Sequence, residues 1–208
     1  MSAEPRVFIV DDDPGVLDSL AFLLRTVGLR TETFGSAQEF IARGDVRAPG
    51  CLLLDVRMPM MSGLELQEKL QAIGSTLPVI FLSAHGDIPM AVKAVKSGAM
   101  DFVQKPFRDQ ELIDKIQSAL EYDRRARASA AATSDAAARF GSLTPRERQV
   151  LEAVVAGKAN KVIAADLGVS QRTVEIHRAH VMRKMQADSV ARLVQMALRA
   201  RGGGDGGE

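Results

Sequence analysis

The sequence contains a single cysteine among 208 residues. One thiol cannot build a disulfide framework or a cysteine-ligated zinc site, and such scarcity is what a reduced cytosolic protein shows. Cys51 opens the apolar run Cys51–Leu54, so inert burial is its expected role. Uninterrupted apolar runs are short, well below the roughly 18 residues of a membrane span. The start, MSAEPRVFIVDDDPG, meets acids where a signal peptide would carry its apolar stretch. These scarcities predict a soluble, cytoplasmic chain with no membrane partner. What is present supports a buried core: 46% of residues are hydrophobic and 25% charged, in a length suited to one large domain or two small ones.

The net charge of +1 conceals an asymmetry. Residues 1–123 carry 12 basic against 18 acidic side chains, whereas residues 124–208 carry 15 against 8. An acidic front and a basic back suggest two domains with different partners, the second facing a polyanion.

In the front half, short apolar runs alternate with helical patterns five times. The runs are Val7–Val10, Thr31–Phe34, Cys51–Leu54, Val79–Leu82 and Asp101–Val103. Several are continuously apolar, as strands covered on both faces should be. Asp13-Pro14 offers an N-cap and a first-turn proline, and Leu17, Leu20, Leu24 and Val27 follow at helical spacing before Gly28. Similar segments lie at about 36–43, 63–73, 88–98 and 109–120. Five such units predict an α/β fold, a five-stranded doubly wound parallel sheet whose ligands gather at the carboxyl ends of the strands.

That rule places Asp11, Asp12 and Asp13 after strand 1, Asp55 after strand 3, Ser83 after strand 4 and Lys105-Pro106 after strand 5. Carboxylates converging on one spot repel unless a cation sits among them. Short all-oxygen ligands suit Mg²⁺, which favours phosphate co-ligands. A carboxylate beside such a cation, a lysine and a hydroxyl is equipped to accept a phosphoryl group, with Asp55 as the attacking residue. Asp13, before Pro14, fits a helix cap better than a ligand.

The stretches Val10-Asp11-Asp12-Asp13, Leu54-Asp55-Val56-Arg57-Met58-Pro59-Met60-Met61-Ser62-Gly63, Leu82-Ser83-Ala84 and Phe102-Val103-Gln104-Lys105-Pro106-Phe107 resemble the receiver domain of two-component response regulators, across about residues 5–122. The resemblance implies that Asp55 is phosphorylated by a cognate sensor histidine kinase. It implies that Asp11, Asp12, Asp55 and the Arg57 backbone carbonyl hold Mg²⁺. Ser83, Ala84 and Lys105 would serve the phosphoryl group, and Phe102 would turn inward as Ser83 moves. Lys105-Pro106 resembles the family's cis peptide.

Residues 123–142 are rich in alanine and arginine, without proline or apolar periodicity, and predict a helical extension of the fifth receiver helix. Residues 201–208 have no pattern and are expected to be a disordered tail. Between them the pattern is purely helical. Thr144-Pro145-Arg146-Glu147 is a capping box, Asn160 is expected to cap a short helix ending at Leu167-Gly168, Ser170 a longer one to about Met185, and Asp188 begins a fourth. Two helices joined by a tight glycine turn in a basic context make a helix-turn-helix. Residues 143–200 resemble the LuxR-type DNA-binding domain, and the pairing of the two domains resembles the NarL/FixJ subfamily of response regulators.

On the third helix of this all-α domain, Val174, His177, Val181 and Met185 share one face, the expected core. Arg172, Ile176, Ala179 and Arg183 lie opposite, a stripe suited to the major groove. Glu175 flanks it, to meet a cytosine amine or pair with an arginine; Thr173 and His180 complete the candidate set. Arg178 leans to the core side, and Lys161 is a candidate phosphate contact.

The leading reading is a phosphorylation-dependent transcription regulator binding promoter DNA, rather than an enzyme acting on a separate substrate. A Mg²⁺-dependent phosphohydrolase would need a substrate-binding insertion among the five short units. A flavodoxin-like cofactor carrier would need a phosphate loop where three acids stand. DNA binding independent of phosphorylation is opposed by the complete acceptor set. RNA polymerase is an expected partner, although the linker region shows no contact signature. Phosphorylation is expected to produce a homodimer, with Met90, Val92 and Met100 as one candidate contact face. Val190, Leu193 and Ala197 form a second face, which the domain's own core could equally claim.

Overall fold

The computed structural model describes residues 4–84 and 88–202, the side chains of 88–91 and 201–202 excepted. Five parallel strands, β1 (Arg6–Val10), β2 (Arg30–Phe34), β3 (Gly50–Asp55), β4 (Val79–Ser83) and β5 (Asp101–Gln104), form one sheet in the order β2-β1-β3-β4-β5. The central β3 and β4 are buried along their whole length, whereas β2 at the edge is exposed or half-buried until it ends in buried Phe34. This is why the interior strands read as unbroken apolar runs.

Helices α1 (Pro14–Thr26), α2 (Ala37–Arg43), α3 (Gly63–Ala72), α4 (Ile88–Lys96) and α5 (Asp109–Gly141) alternate with the strands. Two separate cores result. Phe8, Phe34, Phe40, Leu52, Leu54, Leu66 and Phe81 fill one, with Phe34 and Phe40 edge to face at 5.1 Å. Ile9, Leu20, Leu24, Cys51, Leu53, Ile80, Val103 and Ile116 fill the other. Asp13 caps α1 by accepting from the Gly15 N–H at 2.8 Å, and Ser62 and Glu65 form a reciprocal capping box on α3.

The chain divides into two compact units, residues 1–126 and 127–208. The Ala/Arg-rich segment belongs to α5, which continues to Gly141.

The second unit holds α6 (Pro145–Val155), α7 (Asn160–Leu167), α8 (Gln171–Met185) and α9 (Val190–Gly202) around Val150, Leu151, Ile163, Val174, Val181, Met185 and Leu193. Gly168, at φ 64°, turns α7 into α8. Two boundaries differ from the sequence reading. Ala159, not Asn160, is the N-cap of α7, because the Asn160 Oδ1 atom accepts from Arg178 instead. The last helix begins at Val190 rather than Asp188, after Ser189, whose Oγ accepts from the Arg192 N–H. That helix also takes in residues 201 and 202 of the segment read as tail; 203–208 lie outside the described residues.

Candidate phosphoacceptor site and DNA interface

The sheet order reverses between β1 and β3, so their carboxyl ends flank the crevice where this architecture binds ligands. Asp11 follows β1 and Asp55 ends β3; they are 2% and 8% exposed. Lys105, just after β5, reaches both. Its Nζ donates to Asp11 Oδ2 at 2.6 Å and to Asp55 Oδ1 at 2.8 Å. The Arg57 N–H donates to Asp55 Oδ2 at 2.7 Å, and the Asp13 N–H to Asp11 Oδ1 at 2.9 Å. The Lys105-Pro106 peptide is cis.

These contacts set the electrostatics. Burial pushes the Asp55 carboxyl above its ordinary pKa; Lys105 and the Arg57 N–H pull it down and Asp11 adds to the rise, so the net shift remains upward. For Lys105 burial works toward a lower value, but the Asp11 and Asp55 carboxylates together outweigh it and hold the ammonium above its ordinary pKa. The ammonium is thus a fixed cation between two carboxylates.

Ser83, 2% exposed, ends β4 and accepts the Lys105 N–H at its carbonyl at 2.7 Å, which ties the hydroxyl-bearing residue to the lysine. Ala84 is exposed, and Phe102 is half-buried against the first core. The start of α3 closes in from below: a Cβ on Gly63 would lie 2.2 Å from the Asp55 carbonyl oxygen, so only glycine allows this approach.

The sequence reading gathered three carboxylates at one point; the structure brings two together and leaves Asp12 exposed beside them. Among the described residues no three His, Cys, Asp or Glu side chains are grouped as a ready metal cage. The donor set still fits a hard divalent cation. Three carboxylates against one lysine leave two negative charges to balance, and every donor is oxygen.

On the second unit, Arg172, Ile176, Ala179 and Arg183 are exposed along α8, as are Glu175 and Lys161 of α7. Ile176 is 45% exposed. Arg172 lies 3.6 Å from Glu175, so that acid has an arginine partner within its own helix. Thr173 and Ser170 share a hydroxyl contact of 2.9 Å at the start of α8. His180 is half-buried with its Nδ1 3.9 Å from Glu147, while half-buried His177 has a buried Nδ1 without a hydrogen-bond partner. Arg178 donates to Asn160 Oδ1, a structural contact between α8 and α7.

Sequence reasoning missed the member that organises this face. Glu147, 4% exposed, accepts from the Thr144 N–H at 2.8 Å and from Lys184 Nζ at 2.6 Å, joining the start of α6 to the end of α8. The capping box revealed the first contact; nothing local could reveal the second.

The candidate dimer residues divide. Val92, Met100 and Val190 are exposed. The Met90 side chain lies outside the described residues. Leu193 and Ala197, at 2% and 1% exposure, pack in the core of their own unit, which leaves no surface of Leu193 for a partner.

The response regulator receiver domain family matches residues 7–117, and the luxR family of bacterial regulatory proteins matches residues 141–197. The chain is a response regulator of the NarL/FixJ type. This response regulator is 46% identical over 195 residues to the response regulator protein TodT of Pseudomonas putida F1, covering 94% of this chain and 86% of that protein. It is 44% identical over 200 residues to the transcriptional regulatory protein FixJ of Bradyrhizobium diazoefficiens, covering 96% and 98%. Among solved structures, the response regulator StyR matches with a TM-score of 0.86 at 44% identity, covering 95% of this chain and 100% of that one. Among the described residues of this response regulator, no helix is long and apolar enough to cross a membrane.

Proposed function

We propose that this response regulator accepts a phosphoryl group on Asp55 from a sensor histidine kinase and, so modified, dimerises and binds promoter DNA in the cytoplasm. The observation that carries the reading is the partly buried Asp11–Lys105–Asp55 bridge at the switch point of the sheet. An Asp55 carboxylate oxygen attacks phosphorus while the bond from phosphorus to the donor's imidazole nitrogen breaks, and the nitrogen keeps the electron pair. Lys105 is placed to exchange its contact with Asp55 Oδ1 for a phosphoryl oxygen, and Ser83 to offer its hydroxyl. Asp11, Asp12, Asp55 and the Arg57 carbonyl would hold Mg²⁺, which supplies charge neutralisation when bound. The chain's chemistry is its own phosphoryl transfer and loss, with no separate substrate.

On the DNA side, the exposed stripe of Arg172, Ile176, Ala179 and Arg183 enters the major groove. Thr173, Glu175 and His180 lie beside it, and Lys161 meets the backbone. Met90, Val92, Met100 and Val190 remain the contact candidates for the dimer, and RNA polymerase is the partner downstream. Mass spectrometry after incubation with acetyl phosphate and Mg²⁺ tests the acceptor. One added phosphoryl on the wild type and none on Asp55→Asn is expected. Equal labelling of the two chains would overturn the assignment.

A further inference from the structure

The last turns of α5 belong to the second unit. Phe140 packs against the core built around Val150, Val174 and Val181, and Leu143 is part of it. The Arg148 guanidinium lies 5.2 Å from the centre of the Phe140 ring and donates to the Gly141 carbonyl at 3.3 Å. Ser142 Oγ donates to the Arg139 carbonyl at 2.6 Å, closing the end of the helix. The luxR-family match begins only at residue 141, so Arg139 and Phe140 stand ahead of it.

One contact of this turn reaches α8. Arg139 Nη1 donates to the Met185 carbonyl at 3.3 Å, across 46 residues of chain, while its Nη2 pairs with Asp135 at 2.7 Å, one turn earlier on α5. Met185 is the final residue of α8, and the last carbonyls of a helix have no partner within it. An arginine at that end supplies a donor and also meets the negative pole of the helix. Lys184, one residue earlier, bonds to Glu147 at 2.6 Å and holds the same turn to α6. The end of α8 is therefore gripped twice, by α6 and by the last turn of α5.

We infer that Arg139 is a positioning residue for DNA recognition, acting through α8. It pins the carboxyl end of that helix, and with it the placement of Arg172, Ile176, Ala179 and Arg183, to the end of α5. The inference rests on the reading of α8 as the helix that meets DNA. Reading bases needs side chains held to about 0.5 Å, whereas the attraction of a cationic surface to phosphates does not depend on sequence. Releasing the pin weakens binding to a preferred duplex more than binding to an arbitrary one.

The test uses the full-length wild type, Arg139→Met and Arg139→Lys, each with acetyl phosphate and Mg²⁺. Methionine keeps the unbranched stem and the helix propensity but removes every donor. Affinities are measured against a duplex obtained by binding selection with the wild type and against a scrambled duplex of equal length, over a range of salt. Arg139→Met is expected to lower the ratio of selected to scrambled affinity roughly three- to tenfold, as loss of one hydrogen bond does. Its salt slope and its phosphoryl uptake at Asp55 should match the wild type, and Arg139→Lys should recover part of the ratio. An equal loss on both duplexes would overturn the inference, because a weakened fold lowers both alike. So would a salt slope lowered by about 0.9, which would make Arg139 a phosphate contact, or affinities unchanged in Arg139→Met. A wild type from which selection enriches no duplex would instead overturn the DNA reading itself, and the inference with it.

Discussion

Replacing Glu147 by glutamine removes one charge from the DNA-binding unit while nearly keeping its shape. A glutamine can still accept from the Thr144 N–H, so the capping box survives and the contact with Lys184 alone is weakened. A hydrogen bond between charged groups contributes about 1.5–3 kcal/mol. The Lys184 side chain is 32% exposed and can rehydrate, which places the loss near the low end, about 1–2 kcal/mol. In a domain of this size that corresponds to a fall in unfolding midpoint of roughly 5–15 °C. Glu147→Ala keeps the Thr144 hydroxyl cap but also loses the bond from the Thr144 N–H, and should cost about 1 kcal/mol more. The pH dependence has a definite sign. The Lys184 ammonium, then the Thr144 N–H, holds the Glu147 carboxyl down at about 2. A depressed folded pKa stabilises fully above the ordinary glutamate value of about 4.3, and that contribution fades as pH falls toward the folded value. Calorimetry of the full-length chain, with α6 and α8 amides followed by NMR to assign the transition, measures both effects. Equal midpoints for wild type and Glu147→Gln at neutral pH would show that the Lys184 contact contributes nothing to stability. A gap that stays constant as the pH is lowered through that window would refute it as well.

Asp12→Ala and Asp11→Ala should each abolish Mg²⁺ binding, since a site with few oxygen donors cannot spare one; metal titrations unchanged in both would reduce these acids to surface charge. Arg183→Ala should weaken all duplexes alike and lower the slope of log affinity against log salt by about 0.9, as loss of one phosphate contact does. Arg172→Ala and Ile176→Ala should instead alter which bases are preferred. A binding selection returning the wild-type preference from both of those variants would contradict the reader stripe.

The candidate acceptor site was readable because each of its proposed members stands where a short apolar run ends. Asp11, Asp55, Ser83 and Lys105 need no long-range information beyond the rule that parallel strands present their carboxyl ends together. The geometry of the bridge was not readable. The strand-end rule gathers Lys105 with the carboxylates, but that its Nζ reaches Asp11 and Asp55 at once, from 94 and 50 residues away, is known only from the folded sheet. The same distance effect hid Lys184 from Glu147, 37 residues away, and gave Asn160 to Arg178 instead of to its own helix. Helical periodicity found the apolar face of α9, but a face for the core and a face for a partner have the same period. Burial resolves Leu193 to the core and leaves Val190 exposed.

Phosphorylation of Asp55 is proposed to control DNA binding. The most direct test is the affinity of the full-length wild type and of Asp55→Asn for a DNA duplex obtained by binding selection, with and without acetyl phosphate and Mg²⁺, alongside light scattering for mass. The wild type is expected to gain affinity and double its mass on phosphorylation, while Asp55→Asn stays weakly bound and monomeric under both conditions. A phosphorylated wild type whose affinity and mass equal those of the unmodified chain would contradict it.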